Sequence, residues 1–186
     1  MRLKEIYQKK AAPALKERFG RKNILAVPRL LKATVNVGVG RLTKDRPFID
    51  GVAAEVAAIT GQRAVLNAAK KSISAFKVRQ GDIVGVMAVL RGQRMYDFVE
   101  KLINITLPRV RDFRGLDESM VDGRGNLTIG FREHTAFPEV KMEQVEKVHG
   151  LEVTITTNAK SRAEGLALLK LLGFPFKKMT NPNTTN

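Results

Sequence analysis

The chain has 186 residues, 44% hydrophobic and 27% charged, with no cysteine, no tryptophan and a formal net charge of +15. That composition fits a globular chain of about one domain, and it excludes disulfides, thiol nucleophiles and cysteine-based metal sites. No apolar run approaches the ~18 residues that span a bilayer, and the start MRLKEIYQKK lacks the apolar stretch of a signal peptide.

Taken in order, residues 2 to 19 place Leu3, Ile6, Tyr7, Leu15 and Phe19 near helical spacing before Gly20, which predicts an amphipathic helix with a kink or break at Pro13. KATVNVGV, from Lys32 to Val39, alternates Ala33, Val35, Val37 and Val39 with Lys32, Thr34 and Asn36, the pattern of a half-buried strand. A helix from about Phe48 to Thr60 follows, closed by Gly61; then come a short strand near Gln62 to Asn67, a basic segment, and the strand IVGVMAVL from Ile83 to Leu90. A third helix is expected from about Gln93 to Leu107, stopping before Pro108. After a long charged connection, NLTIGFR and LEVTITT alternate as two more strands, and Ser161 with Glu164 has capping-box spacing at the start of a last helix that ends at Gly173. Residues 1 to 178 read as one domain and 179 to 186 as a disordered polar tail. The mixture of helices and strands predicts an α+β sandwich, a largely antiparallel sheet with helices packed on one face.

Enzyme signatures are missing. After Gly38 and Gly40 the third glycine of a dinucleotide fingerprint would fall at Thr43, and GRGN at Gly123 to Asn126 is a turn, too short for a phosphate loop. His134 and His149, the only histidines, stand fifteen positions apart without metal-ligand spacing and read as surface or hydrogen-bonded residues. No metal, cofactor or small-molecule substrate is expected, and an RNA-modifying enzyme would need a base, nucleophile or metal cluster that the sequence does not show.

The charge distribution points instead to a polyanion. Residues 1 to 115 hold 24 Lys and Arg against 9 Asp and Glu, while residues 116 to 186 hold 9 of each. A membrane-surface protein would concentrate its basic residues on one amphipathic helix edged by Trp or Phe, whereas here they spread over several elements. Between Glu55 and Asp82 there is no acid at all, while Arg63, Lys70, Lys71, Lys77 and Arg79 are basic. An uninterrupted positive field suits phosphate contact. Ser72 and Ser74 add hydroxyls, and Phe76 can either stack on a base or tuck into the core with Ile73. Thr34 and Asn36 share one face of the first strand and can meet ribose hydroxyls and base edges, or simply face solvent. Arg109, Arg111 and Arg114 can brace their loop or touch phosphate.

VPRLLKATVNVGVG, ITGQ, AKKSISAFKVRQGD, LRGQRMYDFVEKL, LPRVRDFRGL, DGRGNLTIGFRE, FPEV and LLKLLGFPF follow one another as in the family of bacterial large-subunit ribosomal protein number five, which the chain resembles from residue 2 to 178. The resemblance implies a structural constituent of the large subunit, with no enzymatic activity and a cytoplasmic location. It implies binding to 5S rRNA and attachment of that RNA in the central protuberance. It further implies an RRM-like sheet surface for RNA, with Arg29, Lys32, Thr34, Asn36, Gln62, Arg63, Phe76 and Arg91 as the rRNA-binding set. Lys70, Lys71, Ser72, Ser74, Lys77, Arg79 and Gln80 would form a loop that reaches peptidyl-site tRNA. Glu133, His134, Thr135, Ala136, Phe137 and Pro138 would approach small-subunit ribosomal protein number thirteen across an intersubunit bridge. Large-subunit rRNA and neighbouring 5S-associated ribosomal proteins complete the implied partners. The chain departs from the family where Met87 and Val89 replace the usual Lys and Thr, which removes two polar groups from the RNA-facing surface, and where Ala75 and Val121 replace Gly and Phe.

Overall fold

The computed structural model describes residues 2–40, 45–140 and 148–177; the expected polar tail lies outside them. Five strands form one antiparallel sheet: β1 (Leu30–Gly38), β2 (Val65–Ala68), β3 (Ile83–Leu90), β4 (Leu127–Phe131) and β5 (Leu151–Thr157), in the spatial order β2-β3-β1-β5-β4. The fold is α+β, as the mixed pattern predicts.

Strand alternation decides which face is dry. Ala33, Val35 and Val37 of β1 are buried, and so are their cross-strand neighbours Leu90, Ala88 and Val86 on β3 and Ile155 and Val153 on β5. Leu127, Ile129 and Phe131 of β4 extend that layer. Helices α3 (Arg46–Thr60) and α4 (Gly92–Lys101) cover it, with Ile49, Val52, Val56 and Ile59 from one and Met95, Phe98 and Val99 from the other. Burying a side chain of this kind stabilises by about 1.5–3 kcal/mol. Asp45 caps α3, accepting from the Phe48 N–H at 3.2 Å, and Gly61 closes the helix in the left-handed region at φ 68°.

Neither Pro13 nor Pro108 ends its helix; each is accompanied by a π turn instead of a break. The first helix runs from α1 (Leu3–Ile6) through a π turn at Tyr7–Ala11 into α2 (Ala12–Arg18), which contains Pro13. The helix begun by α4 likewise continues through a π turn at Leu102–Thr106 into α5 (Leu107–Arg109), past the predicted stop at Pro108. In both, the wider π turn immediately precedes the proline, giving the ring room and shifting the hydrogen bonds that a proline nitrogen cannot make. Strand β2 starts at Val65, later than the Gln62 expected.

The last helix, α6 (Arg162–Leu171), begins as its capping spacing predicts: the Ser161 hydroxyl accepts from the Glu164 N–H at 3.4 Å, while Glu164 itself accepts from the Lys160 N–H at 3.0 Å and pairs with Arg21. GRGN is a turn held by Asp122, whose Oδ1 accepts from the N–H groups of Arg124 (2.9 Å) and Asn126 (2.8 Å). Asn126 in turn accepts from the Thr157 N–H at 3.0 Å, locking the turn to β5. Gly125, at φ 77°, lies so close to α6 that a Cβ built on Gly165 would stand 2.3 Å from its Cα.

Candidate nucleic-acid interface

The opposite face of the sheet carries side chains that are exposed or half-exposed. Its register sets Val65, Met87, Asn36, Glu152 and Gly130 in one row, and Val89, Thr34, Thr154 and Thr128 in the next. Asn67, Gly85 and Gly38 form a third row, and the Asn36 amide oxygen lies over Gly85, 3.7 Å from where a Cβ would stand. The Thr128 and Thr154 hydroxyls face each other at 3.5 Å, and Thr154 donates to Glu152 at 3.3 Å. The surface is therefore polar over β1, β5 and β4, built from hydroxyls, the Asn36 amide, glycines and one carboxylate, while Val65, Met87 and Val89 make its β2–β3 side largely apolar beside Asn67. Met87 and Val89 lie directly beside Asn36 and Thr34, so the two positions where the chain departs from the family's usual residues border the polar pair.

Glu152, Thr154, Thr156 and Thr128 were not among the expected RNA-binding residues, although the alternation of LEVTITT and NLTIGFR assigns them to the outer face by the argument used for Thr34 and Asn36. The remaining expected residues fall around the face. Lys32 is half-buried on it; Arg63 and Arg91 are exposed where α3 ends and α4 begins. Arg29 is exposed before β1 and within electrostatic reach of the Tyr7 and Tyr96 phenols, whose ionisation burial pushes up and Arg29 partly offsets. Gln62 is half-buried, and its amide nitrogen donates to the Val89 carbonyl at 2.6 Å, so that group ties the loop after α3 to the edge of β3.

The basic segment is a hydrogen-bonded ribbon. Ala69 donates to Asp82 (2.8 Å) and accepts from Gly81 (3.0 Å), and Ile73 and Val78 exchange N–H···O bonds at 2.9 and 3.2 Å. Ser72 accepts from the Gln80 N–H at 2.9 Å, and Asp82 accepts from the Arg79 N–H at 2.8 Å. At the tip, Ser74–Phe76 form a 3-10 turn ended by Lys77 at φ 53°. Every residue from Lys70 to Lys77 is exposed; Phe76 at 74% and Ile73 at 49% project from the protein, which overturns the alternative of a tip tucked into the core.

The segment from Glu133 to Pro138 divides differently. His134, Ala136 and Phe137 are buried, and Phe137 packs against Phe98 and Phe131 with ring centroids 6.4 and 5.4 Å apart. These three are core residues, a correction to the expectation that all six face a partner; Glu133 and Pro138 are exposed and Thr135 is half-buried. The histidines are hydrogen-bonded, as expected, through His134 Nδ1, 3.1 Å from the His149 carbonyl; beyond that expectation, His134 and His149 stack on each other, centroids 3.9 Å apart, beside Glu55 on α3.

Among the described residues no helix is long and apolar enough to cross a membrane. The family described as "Ribosomal protein L5" matches residues 23–79, and the model of that family's C-terminus matches residues 83–176. The chain belongs to the ribosomal protein L5 family. Large ribosomal subunit protein uL5 of Halothermothrix orenii is 49% identical over 176 residues, covering 95% of this chain and 98% of that protein. The uL5 proteins of Carboxydothermus hydrogenoformans (49% over 177 residues, 95% and 99%) and Chloroflexus aggregans (49% over 177 residues, 95% and 98%) are equally similar. As a member of this family the chain is a structural constituent of the large ribosomal subunit and not an enzyme, in keeping with the missing catalytic motifs.

Proposed function

We propose that this constituent of the large ribosomal subunit binds 5S rRNA through the open face of its sheet and helps attach it in the central protuberance. The observation that carries this reading is the one-sided cover of the sheet: α3 and α4 pack on one face and leave rows of Thr, Asn and Gly on the other. Low polar side chains match the wide, shallow minor groove of an RNA helix, where 2′-hydroxyls and base edges are within reach. Glu152 sharpens the assignment, because a carboxylate repels phosphate but accepts from hydroxyls and exocyclic amines. Backbone phosphates then belong at the rim, near Lys32, Arg63, Arg91 and Arg29, in contact with 5S and large-subunit rRNA.

The ribbon from Lys70 to Asp82 supports a second contact, with peptidyl-site tRNA: its exposed Lys70, Lys71, Lys77 and Arg79 offer electrostatic grip and Phe76 a stacking surface. Glu133, Thr135 and Pro138 serve the contact with small-subunit ribosomal protein number thirteen, and other surfaces meet neighbouring 5S-associated proteins.

The test compares two variants in reassembled ribosomes. Asn36→Ala is expected to weaken 5S rRNA binding roughly 5- to 150-fold, the equivalent of about 1–3 kcal/mol for a hydrogen-bonding group lost from a buried interface, without lowering the melting temperature. Neutralising Lys71, Lys77 and Arg79 together is expected to leave 5S rRNA content nearly intact and to speed tRNA dissociation, most visibly at low salt, with the difference from the unaltered protein shrinking as salt rises. Unchanged 5S binding by Asn36→Ala refutes the face assignment, and loss of 5S rRNA from a folded loop variant refutes the division into two surfaces.

A further inference from the structure

Glu55, His134 and His149 come from three places in the fold, the middle of α3, the turn after β4 and the lead-in to β5, and one donor atom of each lies within 4.8 Å of the other two. Nε2 of His134 stands 3.6 Å and Nε2 of His149 3.5 Å from the same Glu55 oxygen, Oε2. Those separations are too long for a hydrogen bond, yet they match the edge of a tetrahedral zinc site, where ligands about 2.0–2.1 Å from the ion lie roughly 3.3–3.5 Å apart. His134 is 0% exposed, and neither its Nε2 nor Glu55 Oε2 has a hydrogen-bond partner. Two buried polar atoms that face each other without a hydrogen bond are compensated either by a proton, which turns the histidine and Glu55 into an ion pair, or by a metal cation between them.

From this geometry we infer that Glu55, His134 and His149 form a binding site for a divalent transition-metal ion of the zinc class. Two imidazoles and one carboxylate are borderline ligands that favour such ions over magnesium or calcium. The surroundings supply the orienting contact such sites use: His134 Nδ1 lies 3.1 Å from the His149 carbonyl, and donating to it leaves the Nε2 lone pair aimed at the ion. In the competing tautomer Nδ1 accepts from the His149 N–H at 3.3 Å. The parallel imidazole stack must open from 3.9 Å to roughly 5 Å to share one tetrahedral ion, and His149, 11% exposed, lies nearer the surface than the fully buried His134. The fourth ligand position falls to water. A bound ion would pin α3 to both ends of the segment joining β4 to β5.

The chain suits a clean test, because these are its only histidines and it has no cysteine. The full-length protein is stripped with a chelator and titrated with Zn²⁺, following heat, thermal midpoint and the imidazole resonances. One equivalent is expected to bind below micromolar concentration, to shift both histidines together, and to raise the midpoint by roughly 5–10 °C at a hundredfold excess over Kd. Glu55→Gln and His149→Asn, which alter partly exposed side chains, are each expected to weaken binding at least about 100-fold. X-ray absorption of the unaltered protein is expected to show two nitrogen-ring scatterers, a readout that does not depend on any variant folding. Absence of saturable binding, imidazole resonances that stay put, an all-oxygen first shell, or binding that survives both substitutions overturns the site.

Discussion

Two glycines placed inside helices should respond to alanine with opposite signs. Replacing a helical glycine by alanine ordinarily stabilises by about 0.5–1 kcal/mol, because the unfolded chain loses freedom and the helix gains a better former. Gly51, in α3, has nothing within 4 Å of an added Cβ, so Gly51→Ala is expected to show that gain. Gly165, in α6, is different: an added Cβ would stand 2.3 Å from Gly125 Cα and 2.4 Å from Gly125 O. Both are backbone atoms, and Gly125 cannot withdraw freely, since the turn is held by Asp122 and Asn126 and Asn126 is bonded to Thr157 on β5. Overpacking of this kind costs about 1–3 kcal/mol, which offsets or exceeds the helix gain, so Gly165→Ala is expected to destabilise by up to about 2.5 kcal/mol net. Urea denaturation measures both, with the slope unchanged and only the midpoint moving. A Gly165→Ala protein as stable as Gly51→Ala would refute the close approach of α6 to the turn.

Replacing the carboxylate of the open face by Glu152→Gln is expected to weaken 5S rRNA binding, because Glu152 accepts ribose hydroxyls in the proposed contact; filter binding across a salt series reads the sign, and a severalfold gain at low salt would mean that phosphates lie near and would refute that contact. Acid should release the contacts around α6. Burial raises the Glu164 carboxyl, but the Lys160 N–H and the Arg21 guanidinium outweigh it and hold the group below its ordinary value; Asp122 behaves alike, burial being outweighed by hydrogen bonds from Asn126 and Arg124. A carboxyl whose folded value is depressed adds stability above its unfolded value near 4 and loses it as pH falls through the folded value. The urea midpoint is therefore expected to fall below about pH 4, less steeply in Glu164→Gln, and identical slopes in the two proteins would count against the Arg21 pairing.

Much of the sheet was legible because a period of two is a strong signal. Ile83–Leu90 coincides with its predicted range, and β1 extends its own by two residues at the start. The helix end at Pro108 was misread for a physical reason: the rule that a proline stops a helix assumes α geometry, and a π turn before Pro108, like the one before Pro13, supplies the room that an α turn lacks. Burial within Glu133–Pro138 was not legible, since Phe137 owes its place to Phe98 and Phe131, which stand on different elements.

What alternation could not supply was the assembled surface. It assigns Thr34, Asn36, Glu152 and Thr154 to outer faces one strand at a time, but whether they share a row depends on β5 lying beside β1, and residues 39 to 150 of the chain lie between those two strands. Strand β3 hid its outer face from alternation for another reason: with Met87 and Val89 there, IVGVMAVL reads as a run apolar on both sides, and only the family resemblance placed those two residues on the RNA-facing surface. The stacked histidines show the same limit more sharply. Spacing rules find metal ligands that lie on one helix or one turn, whereas here the donors meet only after β4, β5 and α3 have packed. Chemistry assembled across elements is visible in a sequence only to the extent that the strand order and the helix placement can be derived first.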